Sequence, residues 1–447
     1  MKIVLALHQY PPLGSGGTEA LTRWTALALR ERGHEARIVS AVPRRRGVAI
    51  APPPPATDDG GVRVRFLDVS ARHAGTIERI ALEYDDPGAG DAFGRILDDE
   101  RPDAVHFLHL HGLTAAAVRA ARSRGIPVAL TCTDFWLECP TAQLLLPDGS
   151  TCSGPDDDRA NCARHLVANR LPAGRWRDAV AGAVTWASRV PGAPRVGRAW
   201  TGLRGRTPRL LEAADDAARV IAPTAFMEAR LRGFGVAPEK IARIAYGVPR
   251  PDRSDVRTGE RQDADGRLRI AFAGSLAPNK GAHLLLEAMR LVPRLAAEVA
   301  IWGRRTGDDY ASRLDRLADG DARIRFEGTF EAGEFAAVLA WADVLVIPSL
   351  WYENAPLVLL EALAHRCPVV VADVPGLTEP VRPGTDGWMF RRDDPRDLAA
   401  QLARLADDRA ALCAVRTAPH ATRTTTDYMD DMMRIYESLP PSAPVRA

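Results

Sequence analysis

Two glutamates separated by seven residues, Glu353 and Glu361, stand in the stretch WYENAPLVLLEALAHRCPVVVAD, Trp351 to Asp373. The apolar run DVLVIPS before it reads as a buried parallel strand bounded by Pro348, and CPVVVAD reads as a second. Between them Leu357, Leu360, Leu363 and Ala364 recur at helical spacing, with Pro356 suited to the first helical position. The order is therefore strand, turn, helix, strand. Where a strand's carboxyl end feeds a helix amino terminus, free N–H groups and the helix dipole favour an anion. Glu353 falls in the turn and Glu361 deeper in the helix, so both carboxyl groups approach one crevice, where each can accept paired sugar hydroxyls. The blander alternative is a dipole partner at Glu353 and a solvated face at Glu361.

Other chemistry-bearing residues cluster at comparable junctions. In LRIAFAGSLAPNKGAHLLLEAM, Lys280 precedes a helix and would place an ammonium beside its free N–H groups, which suits a diphosphate. After the strand run KIVLAL, a proline and glycine loop brings Gly16 and Gly17, where backbone can approach a ligand closely or simply turn. Thr18 is the expected N-cap of the helix that follows, on the stripe Leu21, Trp24, Thr25, Ala28 and Leu29. The spacing is not G-x-G-x-x-G, which disfavours a dinucleotide site and an oxidoreductase. Three histidines, His106, His109 and His111, gather at another strand end, where imidazole can meet phosphate or a sugar hydroxyl, or serve the core. Cys139, Cys152, Cys162 and His165 are either a structural Cys3His zinc site or buried thiols.

The elements that must position these groups need a large frame. At 447 residues the chain supports two domains, since one core rarely grows past about 250 to 300 residues. With 59 basic and 57 acidic residues there is no global bias toward nucleic acid. Six cysteines are too few for a disulfide scaffold in a chain of this size. No stretch approaches the apolar length of a membrane-spanning helix, and MKIVLALHQYPP reads as a first strand rather than a signal, so the expected location is cytoplasmic. Between Leu166 and Leu211, however, nine Arg stand against one acid, Asp178, with Trp176, Trp186 and Trp200 interleaved. That segment fits a surface for anionic lipid headgroups or a lipid-linked acceptor, at the inner face of a membrane. It equally fits a helical insertion whose tryptophans pack on the domain. The charged, Pro- and Gly-punctuated stretch 251–266 reads as a linker.

The stretch PSLWYENAPLVLLEALAHRCPVVVADVPGLTE resembles the signature of glycosyltransferase family 4, retaining enzymes of the GT-B fold, and further matching segments follow in family order over most of the chain. The resemblance implies an α/β protein of two Rossmann-like domains facing each other across a cleft: an acceptor-binding domain over 1–250, with a Cys-, Arg- and Trp-rich insertion at about 132–211, and a nucleotide-sugar domain over 267–426. Helix 427–447 would return to the first domain. It implies transfer of a sugar from a nucleoside-diphosphate donor, UDP- or GDP-linked, to an acceptor hydroxyl of a small molecule, glycan or lipid-linked molecule, with retention. Glycolipid, exopolysaccharide or natural-product glycoside assembly all fit. No cofactor or catalytic metal is implied.

Residue by residue, the family pattern gives Glu353, Lys280 and His109 as catalytic candidates. Donor candidates are Gly16, Gly17, Ser275, Lys280, Thr329, Asn354, Ala355, Pro356, Leu357 and Glu361, with Glu361 on the ribose and the base near Gly328, Thr329 and Phe330. The chain departs from the pattern at Ser275, which stands where the family carries Arg, and Arg304 or Arg305 is the expected substitute cation. Leu108 and Thr133 replace two histidines, which transfers the role of the first to His109 or His111, while Asp134 is retained to orient an acceptor hydroxyl. These departures also suit a GT-B protein that binds sugar nucleotides or glycans without turnover.

Overall fold

The computed structural model describes residues 1–42, 54–67, 78–169, 171, 174, 176–187, 194–257, 266–305, 307–330, 333–418 and 422–442. Residues 258–265 of the expected linker, Arg170, Arg175 and Arg189, and the side chains of Arg195, Arg198 and Trp200 lie outside them. The chain divides into two compact units, one of residues 1–148, 152–245 and 425–447, the other of 149–151 and 246–424.

The first unit is built on strands β1 (Lys2–Leu7), β2 (Glu35–Ala41), β3 (Thr57–Asp59), β4 (Val62–Leu67), β5 (Ala104–Phe107), β6 (Val128–Thr131), β7 (Arg219–Ala222) and β8 (Ile241–Arg243). Their order is β3-β4-β2-β1-β5-β6-β7-β8, all parallel except the edge strand β3. Chain order reverses between β1 and β5, so the loops after these two strands open at a topological switch point, where ligands bind in such sheets. The helix Gly17–Glu31 follows the first of them; its N-cap is Gly16, not Thr18, whose carbonyl instead accepts from Thr22 Oγ1. The C-terminal helix Thr425–Ser438 belongs to this unit, burying Tyr428, Met429, Met432 and Tyr436.

The second unit carries β9 (Leu268–Ala273), β10 (Ala297–Trp302), β11 (Ile324–Gly328), β12 (Val344–Ile347), β13 (Val369–Ala372) and β14 (Gly387–Phe390) in the order β11-β10-β9-β12-β13-β14, all parallel. Every residue of β9, β12 and β13 is buried, which is why these strands read as continuous apolar runs rather than alternating ones. Their reversal lies between β9 and β12, so the loops bearing Lys280 and Glu353 leave adjacent strands at one switch point. At the opposite end of β12, Asp343 anchors the sheet by accepting from the Arg269 N–H at 2.9 Å and from Arg257 at 2.7 Å. Arg257 thus ties the stretch read as linker to this sheet.

The basic segment is not uniformly a surface. Within the helix Pro194–Asp216, Arg206 is buried, donating to the carbonyls of Leu137, at 2.9 Å, and Trp136, while Arg209 pairs with Asp85 and Glu212.

Candidate active site

In the second unit one carboxyl oxygen collects three donors. Glu353 Oε1 lies 2.7 Å from Lys280 Nζ, 2.6 Å from Ser349 Oγ and 2.8 Å from Trp351 Nε1. The Glu353 residue is 3% exposed, and the Lys280 ammonium also stands 4.8 Å from the centre of the Trp351 ring. Sequence reasoning named Glu353 and Lys280 separately; it missed Ser349 and Trp351, although both lie within four residues of Glu353. The loops are held by backbone bonds, Leu350 N–H to Asn279 O and Glu353 N–H to Pro375 O. Gly281 (φ +71°) ends the Lys280 turn, and a Cβ there would collide with Pro348 O. Gly376 (φ +83°) passes the Glu353 carbonyl just as closely.

The turn after Glu353 stores strain. Ala355 has φ +53°, a left-handed backbone that costs a non-glycine residue on the order of 1–3 kcal/mol and is commonest at functional sites. Pro356 is the N-cap rather than the first helical residue, and the helix runs Leu357–Ala364 with its leading N–H groups turned to this turn. Glu361 is half-buried, and desolvation of its carboxyl pushes it up to about 7.

Around this pair the other donor candidates are arranged unevenly. Ser275 is exposed, and the next residue, Leu276, donates its N–H to the Arg304 carbonyl, which brings the Arg304 backbone to the Ser275 loop. Arg305 does not fill the vacant cation's place: it holds Asp315 through two bonds of 2.9 and 3.0 Å and stacks on Phe326. Thr329 is exposed beyond Gly328, and Phe330 stacks on Phe335 at 5.0 Å. A cavity of about 570 Å³ elsewhere in the unit, bounded by Arg250, Arg253, Arg366 and Arg423, includes none of these residues.

In the first unit the switch point holds an imidazole and carboxyl cluster. His109 Nε2 lies 2.8 Å from Asp134 Oδ2, and His109 Nδ1 accepts the His111 N–H at 2.9 Å. The Nδ1 atom being an acceptor, the ring proton of neutral His109 is on Nε2, directed at Asp134. Asp134 Oδ1 accepts the Trp136 N–H at 2.8 Å. Burial works to raise the Asp134 carboxyl, but His109 and the Trp136 N–H hold it below the usual range. His8, the first residue after β1, packs its ring 4.4 Å from that of His109; burial and the neighbouring His109 push it down to about 2, so it is neutral. Its Nε2 faces Glu19 Oε1 at 3.5 Å, and burial raises the Glu19 carboxyl. Gly16, extended at φ −177°, sits against Glu19, where a Cβ would lie 3.0 Å from Oε2. Gly17 is the first residue of the helix that carries Glu19.

His8 and Glu19 were missed from the sequence; only the pairing of β1 with β5 brings them to His109. His106, by contrast, is a core residue. It bridges Tyr436 Oη and Thr131 Oγ1, each at 2.7 Å, and burial pushes it down to about 3.

The zinc expectation fails on geometry: among the described residues no three His, Cys, Asp or Glu side chains could hold a metal ion. Burial raises the thiols of Cys152 and Cys162, the latter to about 11, which opposes the thiolate form a metal needs. Cys139 instead meets Thr141 Oγ1 at 3.2 Å.

Residues 16–171 match the model of the glycosyl transferase 4-like domain, and residues 267–408 that of glycosyl transferases group 1. Among curated relatives, the D-inositol 3-phosphate glycosyltransferase of Streptomyces bingchenggensis is 32% identical over 239 residues, 47% of this chain and 51% of that protein. The amylovoran biosynthesis glycosyltransferase AmsK of Erwinia amylovora is 29% identical over 201 residues, 43% of this chain and 48% of the relative. These matches span about half the length of each relative. Among solved structures, Anabaena Alr3699/HepE in complex with UDP superposes with a TM-score of 0.65 at 15% identity, covering 98% of this chain and 100% of that one. Sucrose-phosphate synthase from Thermosynechococcus elongatus gives 0.66 at 17% identity, covering 98% of each. With two parallel doubly wound sheets and both family domains in order, the chain belongs to glycosyltransferase family 4, on the GT-B fold.

Proposed function

We propose that the protein transfers a glycosyl group from a nucleoside-diphosphate sugar to an acceptor hydroxyl with retention at the anomeric carbon. The observation that carries this reading is the convergence of Lys280, Ser349 and Trp351 on a single oxygen of Glu353, at the start of a strained turn into a helix. Three donors on Oε1 fix the carboxyl's orientation and leave Oε2 to accept sugar hydroxyls. Lys280 spends one of its three N–H groups on Glu353; the other two, with the leading N–H groups of Leu357–Ala364, neutralise the departing diphosphate. The second cation would be Arg304, since Arg305 is committed to Asp315. Glu361 takes the ribose. Attack comes from the face the diphosphate leaves, within an ion pair, so no enzyme nucleophile is assigned.

In the first unit, Asp134 would orient the acceptor hydroxyl, with His109 as its positioning partner because both ring nitrogens of His109 are engaged. Support for the donor class comes from the relatives' names and from HepE, which binds UDP and, in another structure, UDP-glucose. UDP is accordingly the first nucleotide to test. The relatives AmsK and the colanic acid enzyme WcaL of Salmonella typhimurium, named for polysaccharide biosynthesis, favour a glycan acceptor in exopolysaccharide assembly.

Thermal-shift titration with UDP, GDP, TDP and ADP and their sugar conjugates tests the donor site, because a ligand of the folded state raises Tm once its concentration exceeds Kd. One nucleotide hit, lost in Lys280→Ala, is expected, followed by product formation from the matching sugar conjugate. Absence of any hit would refute the donor site. A hit without turnover on any acceptor would instead favour the sugar-nucleotide binder that Ser275 and Thr133 allow.

A further inference from the structure

The helix Arg177–Ala187 is amphipathic in the wrong direction for a solvated surface. Among its described side chains the buried ones are small and partly polar: Ala181, and Thr185, whose Oγ1 donates to the Ala181 carbonyl at 2.7 Å. Its outward side is apolar. Trp176, whose carbonyl accepts the Val180 N–H and so stands on the first turn, is 74% exposed, Val180 is 44% exposed and Trp186 is 69% exposed. At about 100° per residue, positions 176, 179, 180, 183 and 186 fall on one face, and the remaining two, Ala179 and Ala183, are exposed alanines. Of the five large apolar side chains described as exposed, three lie on this face; the others are Met1 and Leu291. The two indoles are about 15 Å apart along the helix axis, ten residues at about 1.5 Å each.

The charge of the sequence flanking this helix selects its occupant. From Leu166 to Leu211 the sequence holds nine Arg and one acid; Arg206 is buried and Arg209 is paired with Asp85, but in sequence Arg170 and Arg175 precede the helix, Arg177 is its first residue, and Arg189, Arg195 and Arg198 follow it. Asp178, the one acid, lies off the apolar face, 3.8 Å from Arg177 Nε. A second copy of this chain would bring the same basic segment against itself, and like charges oppose that pairing. A bilayer surface with anionic headgroups resolves both features at once: tryptophan rings partition to the headgroup level, and the arginines meet lipid phosphates. Among the described residues no helix is long and apolar enough to cross a membrane, so the contact is a helix lying on the surface.

We propose that the helix Arg177–Ala187, with Trp176, Val180 and Trp186, docks the protein on a membrane carrying anionic phospholipid. The proposal is independent of the donor chemistry above and stands or falls without it.

The test is flotation of the whole protein with two vesicle preparations, phosphatidylcholine alone and an equimolar mixture with phosphatidylglycerol. The protein should float with the mixed vesicles, float far less with the neutral ones, and be released as salt screens the arginines. Trp176→Ser with Trp186→Ser should lower partitioning about tenfold or more while circular dichroism and Tm stay at wild-type values, since both side chains face outward. Leu291→Ser, the exposed apolar residue of the other unit, should partition as wild type. No flotation, equal flotation with neutral lipid, or full flotation of the double tryptophan variant would each overturn the proposal. So would a dimer seen by light scattering that the double variant abolishes while vesicles are ignored, because the face would then belong to a second copy.

Discussion

Lys280 Nζ and Glu353 Oε1 lie 2.7 Å apart although 73 residues separate them in the chain. The contact exists because β9 and β12 are neighbours at the switch point, so the loop after each strand ends beside the other. It makes separable effects measurable. Lys280→Ala removes the cation proposed for the diphosphate and should weaken nucleotide affinity at least about tenfold, about 1.4 kcal/mol. Glu353→Gln keeps the shape but not the charge. In that variant the rate of transfer should fall about 100- to 1,000-fold, with nucleotide affinity changed far less. Near-normal turnover in Glu353→Gln would remove this carboxyl from the mechanism.

The half-buried carboxyl of Glu361 predicts a pH signature in stability. Its value in the fold, about 7, stands above the ordinary 4.5 because burial disfavours the charged form. A raised folded value means the contribution is fully present below about 4.5 and is lost as pH rises through about 7. Glu361→Gln has nothing to ionise. The Tm of this variant minus that of the wild type should therefore grow between those limits and stay level above them, by several degrees. A difference that does not vary with pH would show that the carboxyl is already solvated.

On the first unit the prediction concerns Asp134. It accepts from His109 at 2.8 Å and from the Trp136 N–H at 2.8 Å, so its position is fixed before any acceptor arrives. Asp134→Asn keeps the side-chain volume and removes the charge. Transfer should drop about 100-fold or more, the scale of a positioned acid–base group, while the thermal shift caused by the nucleotide stays at its wild-type size. If transfer survives intact, acceptor orientation lies elsewhere.

Much of this architecture was legible because parallel strands buried on both faces leave uninterrupted apolar runs, as at Val344–Ile347 and Val369–Ala372. Helix starts were less so: Thr18 has the better capping chemistry, yet the helix begins at Gly17 because Gly16 takes the cap position. Side-chain clusters were harder to read: Ser349 and Trp351 stand within four residues of Glu353 and carry no motif signal, and other partners are brought together only by the sheet order. His8 meets His109 only through the β1–β5 pairing, across about a hundred residues of chain, and no local pattern encodes that distance. His106 stood out in the sequence for its type, but all four residues of β5 are buried, and its ring serves Thr131 and Tyr436. The cysteines failed similarly: spacing allowed a tetrahedron, and the fold places Cys139 and Cys152 on local partners, Thr141 and Gly154.

Arg206 links the basic segment to the loop that carries Asp134, the residue proposed to orient the acceptor. Its guanidinium donates to the carbonyls of Leu137 and Trp136 and lies 4.9 Å from the centre of the Trp136 ring, so it clamps the loop on which Asp134 sits. Burial pushes the guanidinium down to about 10, still well above neutral pH, so the clamp is charged. Arg206→Ala strands two buried carbonyls, and bonds to charged donors contribute about 1.5–3 kcal/mol each, against which the relief of burying a charge must be set. A net loss of about 2–4 kcal/mol follows, read as a lower urea midpoint with an unchanged slope. Arg206→Lys retains the charge but lacks the planar fork that reaches both carbonyls and stacks on the indole, so it should recover only part of the loss. Because the loop carries Asp134 and not the nucleotide site, the acceptor KM should rise in both variants while nucleotide affinity holds. Full stability in Arg206→Ala would mean that water replaces the guanidinium at both carbonyls and that the loop is held by its own turn.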